Sequence, residues 1–174
     1  MAAPAFVEKL NEQLGYEFGA HQQYVAIATY FDGLTMPQMA ALFYGQAVEE
    51  RDHAMMMIQY LLDADADIKI PALEAPVMDF ANVVEPVQLA LDQEKRVTAQ
   101  INELTRLARD ANDFASEQFM QWFIKEQVEE VAKMSDLLAV VTRAKDNVDR
   151  IEDWVAREEK GEGSDPTAPP IAGA

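Results

Sequence analysis

Glu50 and His53 stand three residues apart in the stretch Ala47–Met57, AVEERDHAMMM, on a line otherwise held by Ala47, Ala54 and Met57. Side chains three and four residues apart share one face of a helix. A carboxylate and an imidazole are therefore aimed where apolar groups belong, and together they offer donors suited to a divalent cation. Alternating steps of four and three residues along the seam give Met36, Ala40, Phe43, Ala47, Glu50, Ala54, Met57 and Leu61. The same stepping gives Val83, Val87, Ala90, Glu94, Val97, Ile101, Leu104 and Ala108 in a later segment. Both lines are apolar except for one glutamate. Two further seams are less pure, yet each carries a glutamate near its middle. They are Phe6, Leu10, Gln13, Glu17, Ala20, Tyr24, Ile27, Phe31 and Ser116, Met120, Phe123, Gln127, Glu130, Met134, Leu137, Val141.

A lone glutamate in a seam is ordinarily a register device or a snorkelling side chain. Glu17, Glu50, Glu94 and Glu130 all fall near the midpoints of their segments, so at 1.5 Å per residue they can meet within a slab of roughly 6–10 Å. Four carboxylates buried together are costly as anions and tend to take up protons. Two divalent cations bring +4 against their −4, which makes a dinuclear metal site the natural way to neutralise the layer. Carboxylate oxygens with a single imidazole suit iron and manganese, tolerate zinc and offer nothing soft for copper. Glu50, whose helix also supplies His53, is the expected bridging ligand of a two-metal site handling dioxygen or peroxide.

The elements that must hold these residues are legible as helical periods. One runs from about Ala5 to Phe31 and ends at Asp32-Gly33, where a left-handed glycine is expected. A second starts at Thr35-Met36-Pro37-Gln38, read as a capping box, and reaches about Ala64. Residues 65–81 have no helical period and contain prolines. Asn82 with Glu85 restarts a helix that persists to about Asp110, and after a break at Asn112-Asp113 a fourth runs to about Ala144. A fifth, short segment from Val148 to about Glu159 places Val148, Ile151 and Val155 on one face beside Trp154. The connection over 65–81 is long enough to return along a whole helix, so the expectation is an all-α fold. It is a four-helix bundle with one long crossover between helices two and three and a short fifth helix. Residues 1–160 read as one domain and 161–174 as a flexible tail.

Composition narrows the partners. With a net charge of −17 the chain is a poor ligand for nucleic acid or an anionic membrane, and cations are the natural counterparts. The absence of cysteine removes disulfides, thiolate metal sites and thiol nucleophiles. No apolar run approaches the ~20 residues of a transmembrane helix, and no signal peptide is evident at the N-terminus, which together suggest a cytoplasmic protein.

Glu17 and Tyr24, the run Glu49-Glu50-Arg51-Asp52-His53, Glu94, Gln121-Trp122 and the run Glu126-Gln127-Val128-Glu129-Glu130 together resemble bacterial non-haem ferritins over about residues 5–160. The resemblance implies the ferritin-like fold and a ferroxidase. Such a protein oxidises Fe(II) with O2 or H2O2 and stores ferric mineral in a homo-oligomeric shell of 24 subunits. It implies a first iron at Glu17, Glu50 and His53, a second at Glu50, Glu94 and Glu130 with Gln127 nearby, and a third at Glu49, Glu126, Glu129 and Glu130. Tyr24 matches the tyrosine beside the centre and Trp122 an adjacent aromatic that donates electrons in the family. Haem is not expected, because Arg51 stands where bacterioferritins carry the haem-ligating methionine, and Gln127-x-x-Glu130 replaces their second Glu-x-x-His. His21 lies one step off the seam, either touching the site or at the seam's edge or on a subunit contact. Two other readings remain at this level. One is a diiron oxidase or oxygenase acting on an organic substrate; the other is an acidic bundle whose polar seam residues only fix register or pair with partners.

Overall fold

Proline occupies the first turn of three helices, through Pro4, Pro37 and Pro86, where its missing N–H and fixed φ cost nothing. In the structure, a computed structural model that describes residues 2–158 and 165–174, the polypeptide forms α1 (Pro4–Gly33), α2 (Pro37–Asp63), α3 (Glu85–Asp110), α4 (Phe114–Ala144) and α5 (Val148–Glu158). No strand occurs among the described residues, and no helix among them is long and apolar enough to cross a membrane. The all-α architecture with a short fifth helix is as the periodicity predicts.

Helix α1 packs chiefly on α2 and α3 on α4, while α5 lies against α2 and α4. The connection between α2 and α3 decides the topology. Asn11 donates to the Asp67 carbonyl at 2.9 Å and accepts from the Lys69 N–H at 2.6 Å. Gln23 makes the same pair of bonds with Val77, at 2.9 and 2.8 Å, and the Tyr30 ring meets Phe80 edge-on at 5.1 Å. The contacts follow the same order on both segments, so the crossover runs alongside α1 in its own direction for ~28 Å, from Asn11 to Tyr30. Its backbone groups are satisfied at these points by amide side chains of the helix rather than by a strand partner. Helix α3 then returns antiparallel to α1, with Tyr24 opposite Glu94 and Gln13 opposite Gln100. Helices α2 and α3 are consequently parallel, the arrangement of a bundle with a single crossover.

The helix ends differ in three places from the sequence expectation. Gly33 is helical, and the left-handed residue after α1 is Thr35, with φ 59°. The hydroxyl of Thr35 makes no cap for α2; instead the carboxylate of Glu152, on α5, accepts the N–H groups of Gln38 at 2.8 Å and Met39 at 2.9 Å. A distant anion thus satisfies orphan donors at the positive end of α2, a partnership no local motif could announce. Asn82 and Glu85 do bond beside α3, in the turn before it rather than as its cap: Asn82 accepts from the Glu85 N–H at 3.2 Å and Glu85 from the Ala81 N–H at 2.8 Å, while the helix starts at Glu85 with Val84 as its N-cap. Asp113 caps α4 through the Ser116 N–H at 3.2 Å, and its second oxygen accepts the Ala3 N–H at 2.8 Å. Replacing Glu152 by alanine is expected to lower stability by about 1 kcal/mol, the usual value of a cap, as measured by the shift of the urea midpoint.

The apolar core is in two pieces. One contains Ile27, Phe31, Phe43, Val87, Leu137 and Val141, with Ile151 and Val155 of α5 added to it. The other contains Phe6, Leu10, Leu14, Met57, Leu61 and Ile101. Val148, expected on one face with Ile151 and Val155, is exposed, whereas those two are buried. Residues 161–164 of the expected tail lie outside the described residues. Residues 165–174 rest on the bundle, with Ala168 and Ile171 against the second cluster and the Ala172 N–H donating to the Met55 carbonyl at 3.2 Å.

Candidate metal centre

Between the two apolar clusters lies a polar layer, contributed by all four long helices at the levels their seams predict. Glu17, Glu50, His53, Glu94, Gln127 and Glu130 are each no more than 4% exposed. Glu17, Glu50 and His53 each place a ligand atom within 4.8 Å of the others. His53 Nδ1 lies 3.8 Å from Glu17 Oε2 and 3.5 Å from Glu50 Oε2, and the imidazole is walled by the edges of Trp122 and Phe123 at 5.6 and 5.8 Å. Glu94 accepts a short hydrogen bond from the Tyr24 hydroxyl and faces the Gln127 Nε2 at 3.4 Å. The Gln127 amide is oriented by Thr98, whose hydroxyl donates to Gln127 Oε1 at 2.8 Å.

This layer is poorly satisfied as it stands. Glu17 Oε2, Glu50 Oε2 and Glu130 Oε2 are buried with no hydrogen-bond partner, an arrangement that costs free energy unless a cation or proton meets those oxygens. The protons respond. Burial, and then the charge of Glu50, holds the Glu17 carboxyl well above the usual range. Glu50 is raised well above it by burial and then by Glu94. Glu94 is raised by burial, although the bonds from Tyr24 and Gln127 to its ionised form oppose the shift. Glu130 is pushed up to about 8 by burial and the charges of Glu94 and Glu49. Tyr24 is raised by burial first and by Glu94 second. Hard oxygens, one imidazole and orphaned lone pairs fit a pair of divalent cations of the iron, manganese or zinc class.

The expected third site is more open. Glu49, Glu126 and Glu129 line a surface cavity of about 670 Å³ that also touches His53, Asp52, Trp122 and Asp165. Glu126, Glu129 and Glu130 line a second hollow, of about 230 Å³, beneath α5. His21, off the seam as expected, donates from Nδ1 to the Ala47 carbonyl at 2.6 Å and ties α1 to α2.

Several residues in and around the layer were given no role by the sequence reading. Gln13 donates to Glu17 Oε1 at 2.8 Å and to Gln100 Oε1 at 3.3 Å. Gln46 donates to Glu49 by a short bond and to Glu130 Oε1 at 3.3 Å. Asp165 accepts from Trp122 Nε1 at 3.1 Å and from Lys125 Nζ at 3.2 Å. Its carboxyl is held well below the usual range, chiefly by hydrogen bonds from Thr167. Gln13 was visible as a polar residue in the first seam, a signal that could have marked it. Gln46 lies one residue off its seam and Asp165 beyond the last helix, so periodicity is silent about both.

Residues 7–144 match the family model Ferritin, described as a ferritin-like domain. The ferritin BfrB of Mycolicibacterium smegmatis is 52% identical over 164 residues, covering 94% of this chain and 91% of that one. A bacterial non-heme ferritin of Staphylococcus aureus is 35% identical over 84% of this chain and 89% of its own. Among solved structures, an open pore ferritin from the archaeon Archaeoglobus fulgidus superposes with a TM-score of 0.88 at 26% identity, covering 93% of this chain and all of that one.

Proposed function

This chain belongs to the ferritin family, and on that footing we propose that it is a ferroxidase that stores the iron it oxidises. Fe(II) is the substrate. One ion is held by Glu17, Glu50 and His53 and the second by Glu50, Glu94 and Glu130, with Gln127 beside it and Glu50 between the two. Each ion loses one electron, so a pair supplies the two that reduce one molecule of dioxygen or peroxide. Tyr24 orients Glu94, and Trp122 closes the side of the site next to His53. Glu49, Glu126 and Glu129, with Glu130 shared, hold a third ion at the wall of the surface cavity beside the pair. The observation that carries the reading is the set of three unpartnered buried carboxylate oxygens on Glu17, Glu50 and Glu130.

The stored product requires an enclosed volume, and copies of this chain are proposed to close into a 24-subunit shell in the cytoplasm. Apolar side chains exposed on α1 and α2, among them Tyr16, Val25, Tyr44 and Val48, are surface that such contacts would cover. Anaerobic titration with Fe(II), followed by addition of oxygen, tests the activity. The expected result is a fast oxidation phase that saturates at two to three ions per chain, followed by slower uptake of many more. Light scattering on the loaded protein then reports a particle near 24 times 19.5 kDa. An oxidation rate that rises linearly with iron and never saturates would overturn the reading.

A further inference from the structure

Tyr60 is half-buried on α2 and Ser116 fully buried on α4, and the proposed iron chemistry uses neither. The Tyr60 ring stacks on Phe119 at 4.1 Å, Phe119 meets Phe123 edge-on at 5.2 Å, and Phe123 in turn lies 5.8 Å from the His53 imidazole. Packed rings thus run without a gap from a proposed iron ligand to a phenol near the surface, with Trp122 beside them at 5.0 Å from Phe123. At the far end of the stack the Tyr60 hydroxyl lies 2.8 Å from Ser116 Oγ, which lies 2.5 Å from Asp113 Oδ2. An ionised carboxylate only accepts, so the Ser116 hydrogen goes to Asp113 and the Ser116 oxygen accepts from Tyr60. Asp113 is ionised at neutral pH: burial opposes this, but bonds from Ser116 and from the Ala3 N–H hold its carboxyl below the usual range. Burial holds the Tyr60 phenol above its usual range, so its proton is in place. Packing needs neither hydroxyl, since phenylalanine and alanine would fill the same space. Tyr24 has no comparable outlet, because its hydroxyl donates to Glu94 inside the buried layer.

We propose that Tyr60 is a redox-active residue: it gives one electron to a metal site that holds a single Fe(II) and meets peroxide, while its proton passes through Ser116 to Asp113. Hydrogen peroxide takes two electrons on its way to water and hydroxide. A filled pair supplies both. A lone Fe(II) supplies one, and the O–O bond then breaks to hydroxide and a hydroxyl radical. With Tyr60 coupled to the site, Fe(II), H2O2 and the phenol give Fe(III), hydroxide, water and a phenoxyl radical. Iron and the phenol are each oxidised by one electron and peroxide is reduced by two. The phenolic proton leaves through Asp113 to solvent, and solvent returns one to the reduced oxygen. A phenol stripped of an electron is a strong acid, so a positioned carboxylate of low basicity suffices as acceptor. The next Fe(II) to arrive returns an electron to Tyr60, and the proton comes back by the same path. This inference rests on the chain oxidising Fe(II) at the buried layer, as proposed above, and adds protection from the radical that a half-filled centre releases.

The fully assembled protein is loaded anaerobically with one Fe(II) per chain, mixed with one equivalent of hydrogen peroxide and frozen for electron paramagnetic resonance. Tyr24→Phe serves as the parent, so that the phenol beside Glu94 contributes nothing. A phenoxyl signal is expected in this parent and should be lost when Tyr60→Phe is added. Ser116→Ala, which keeps the phenol and removes the proton path, should lower the signal by about tenfold. In the same parent Tyr60→Phe should raise the yield of spin-trapped hydroxyl radical severalfold. Phenylalanine preserves the stack on Phe119, so a residue that only packs would move neither quantity. The proposal is overturned by a phenoxyl signal of undiminished size in the double variant, or by an unchanged yield of hydroxyl radical. Should Tyr60→Phe fail to assemble, peptide mapping of the unaltered protein after peroxide and a nitroso trap decides. An adduct on Tyr60 supports the proposal, and adducts on Tyr24 or Trp122 alone overturn it. If Fe(II) shows no saturable oxidation at all, the ferroxidase reading falls and this inference with it. Saturable oxidation of two to three ions per chain without a radical on Tyr60 sinks only the inference.

Discussion

Glutamine in place of Glu50 is expected to slow the fast oxidation phase by two orders of magnitude or more while making the metal-free protein harder to unfold. The two effects have opposite signs and one cause. Glu50 lies 2% exposed between Glu17 and His53 on one side and the charge of Glu94 on the other. As the residue proposed to lie between both ions, it is the one whose loss would remove a ligand from each. A hundredfold loss corresponds to ~2.7 kcal/mol of barrier. In the metal-free state the same carboxylate is a burden, because its Oε2 has no partner and like charges surround it. An amide of equal size carries no charge to desolvate, so a gain of ~1–3 kcal/mol in unfolding free energy is expected, in the range seen when buried charges are replaced by neutral groups. Stopped-flow oxidation of Fe(II) and urea denaturation in the presence of a chelator measure the two effects. A residue that merely fixed helix register would behave in the reverse way: stability would fall and oxidation would be untouched.

The polar layer was legible because helical geometry converts sequence spacing into place. A seam that is apolar except for Glu50 or Glu94 fixes both the face and the level of that glutamate, and the two less pure seams carry Glu17 and Glu130 near their middles, which brings four carboxylates together. The crossover was legible from its lack of period and its length, since a short turn cannot join parallel helices. Contacts between elements far apart in sequence were not legible. The cap that Glu152 provides to α2, the tie from Gln46 to Glu130 and the seat of Asp165 on Trp122 all join residues more than 40 positions apart. Each depends on the exact rotation of one helix, or on the path of a tail that has no period to read. The same limit explains the misplaced turn after α1. Asp32-Gly33 carries the usual local signal, but Met36 is 1% exposed, and seating it in the core moves the left-handed residue to Thr35.

Raising the pH from 5 to 8 in the presence of a chelator is expected to destabilise the protein, the reverse of what ion-paired carboxylates produce. A carboxyl whose folded pKa is raised holds its proton in the native state over an interval in which the unfolded chain has already lost it. The native state therefore binds more protons there, and stability falls as pH rises through that interval. For Glu130 the interval runs from 4.5 to about 8. Glu17, Glu50 and Glu94 shift in the same direction, so their contributions add. Each proton retained only by the native state contributes a slope of ~1.4 kcal/mol per pH unit. A saturating divalent cation alters the sign of the problem: it takes the place of the protons, binds only the ionised carboxylates, and makes binding tighter as pH rises. Urea midpoints recorded at intervals of one pH unit should thus fall steeply in chelator and stay flat or rise in zinc(II), and weakly buffered protein should release protons when the metal is added. Glu50→Gln should flatten the chelator curve, because one of the groups that holds a proton is gone. A midpoint that climbs between pH 5 and 8 without metal would mean that the four carboxylates are stabilised as anions by the protein itself, and the layer would then have no need of cations.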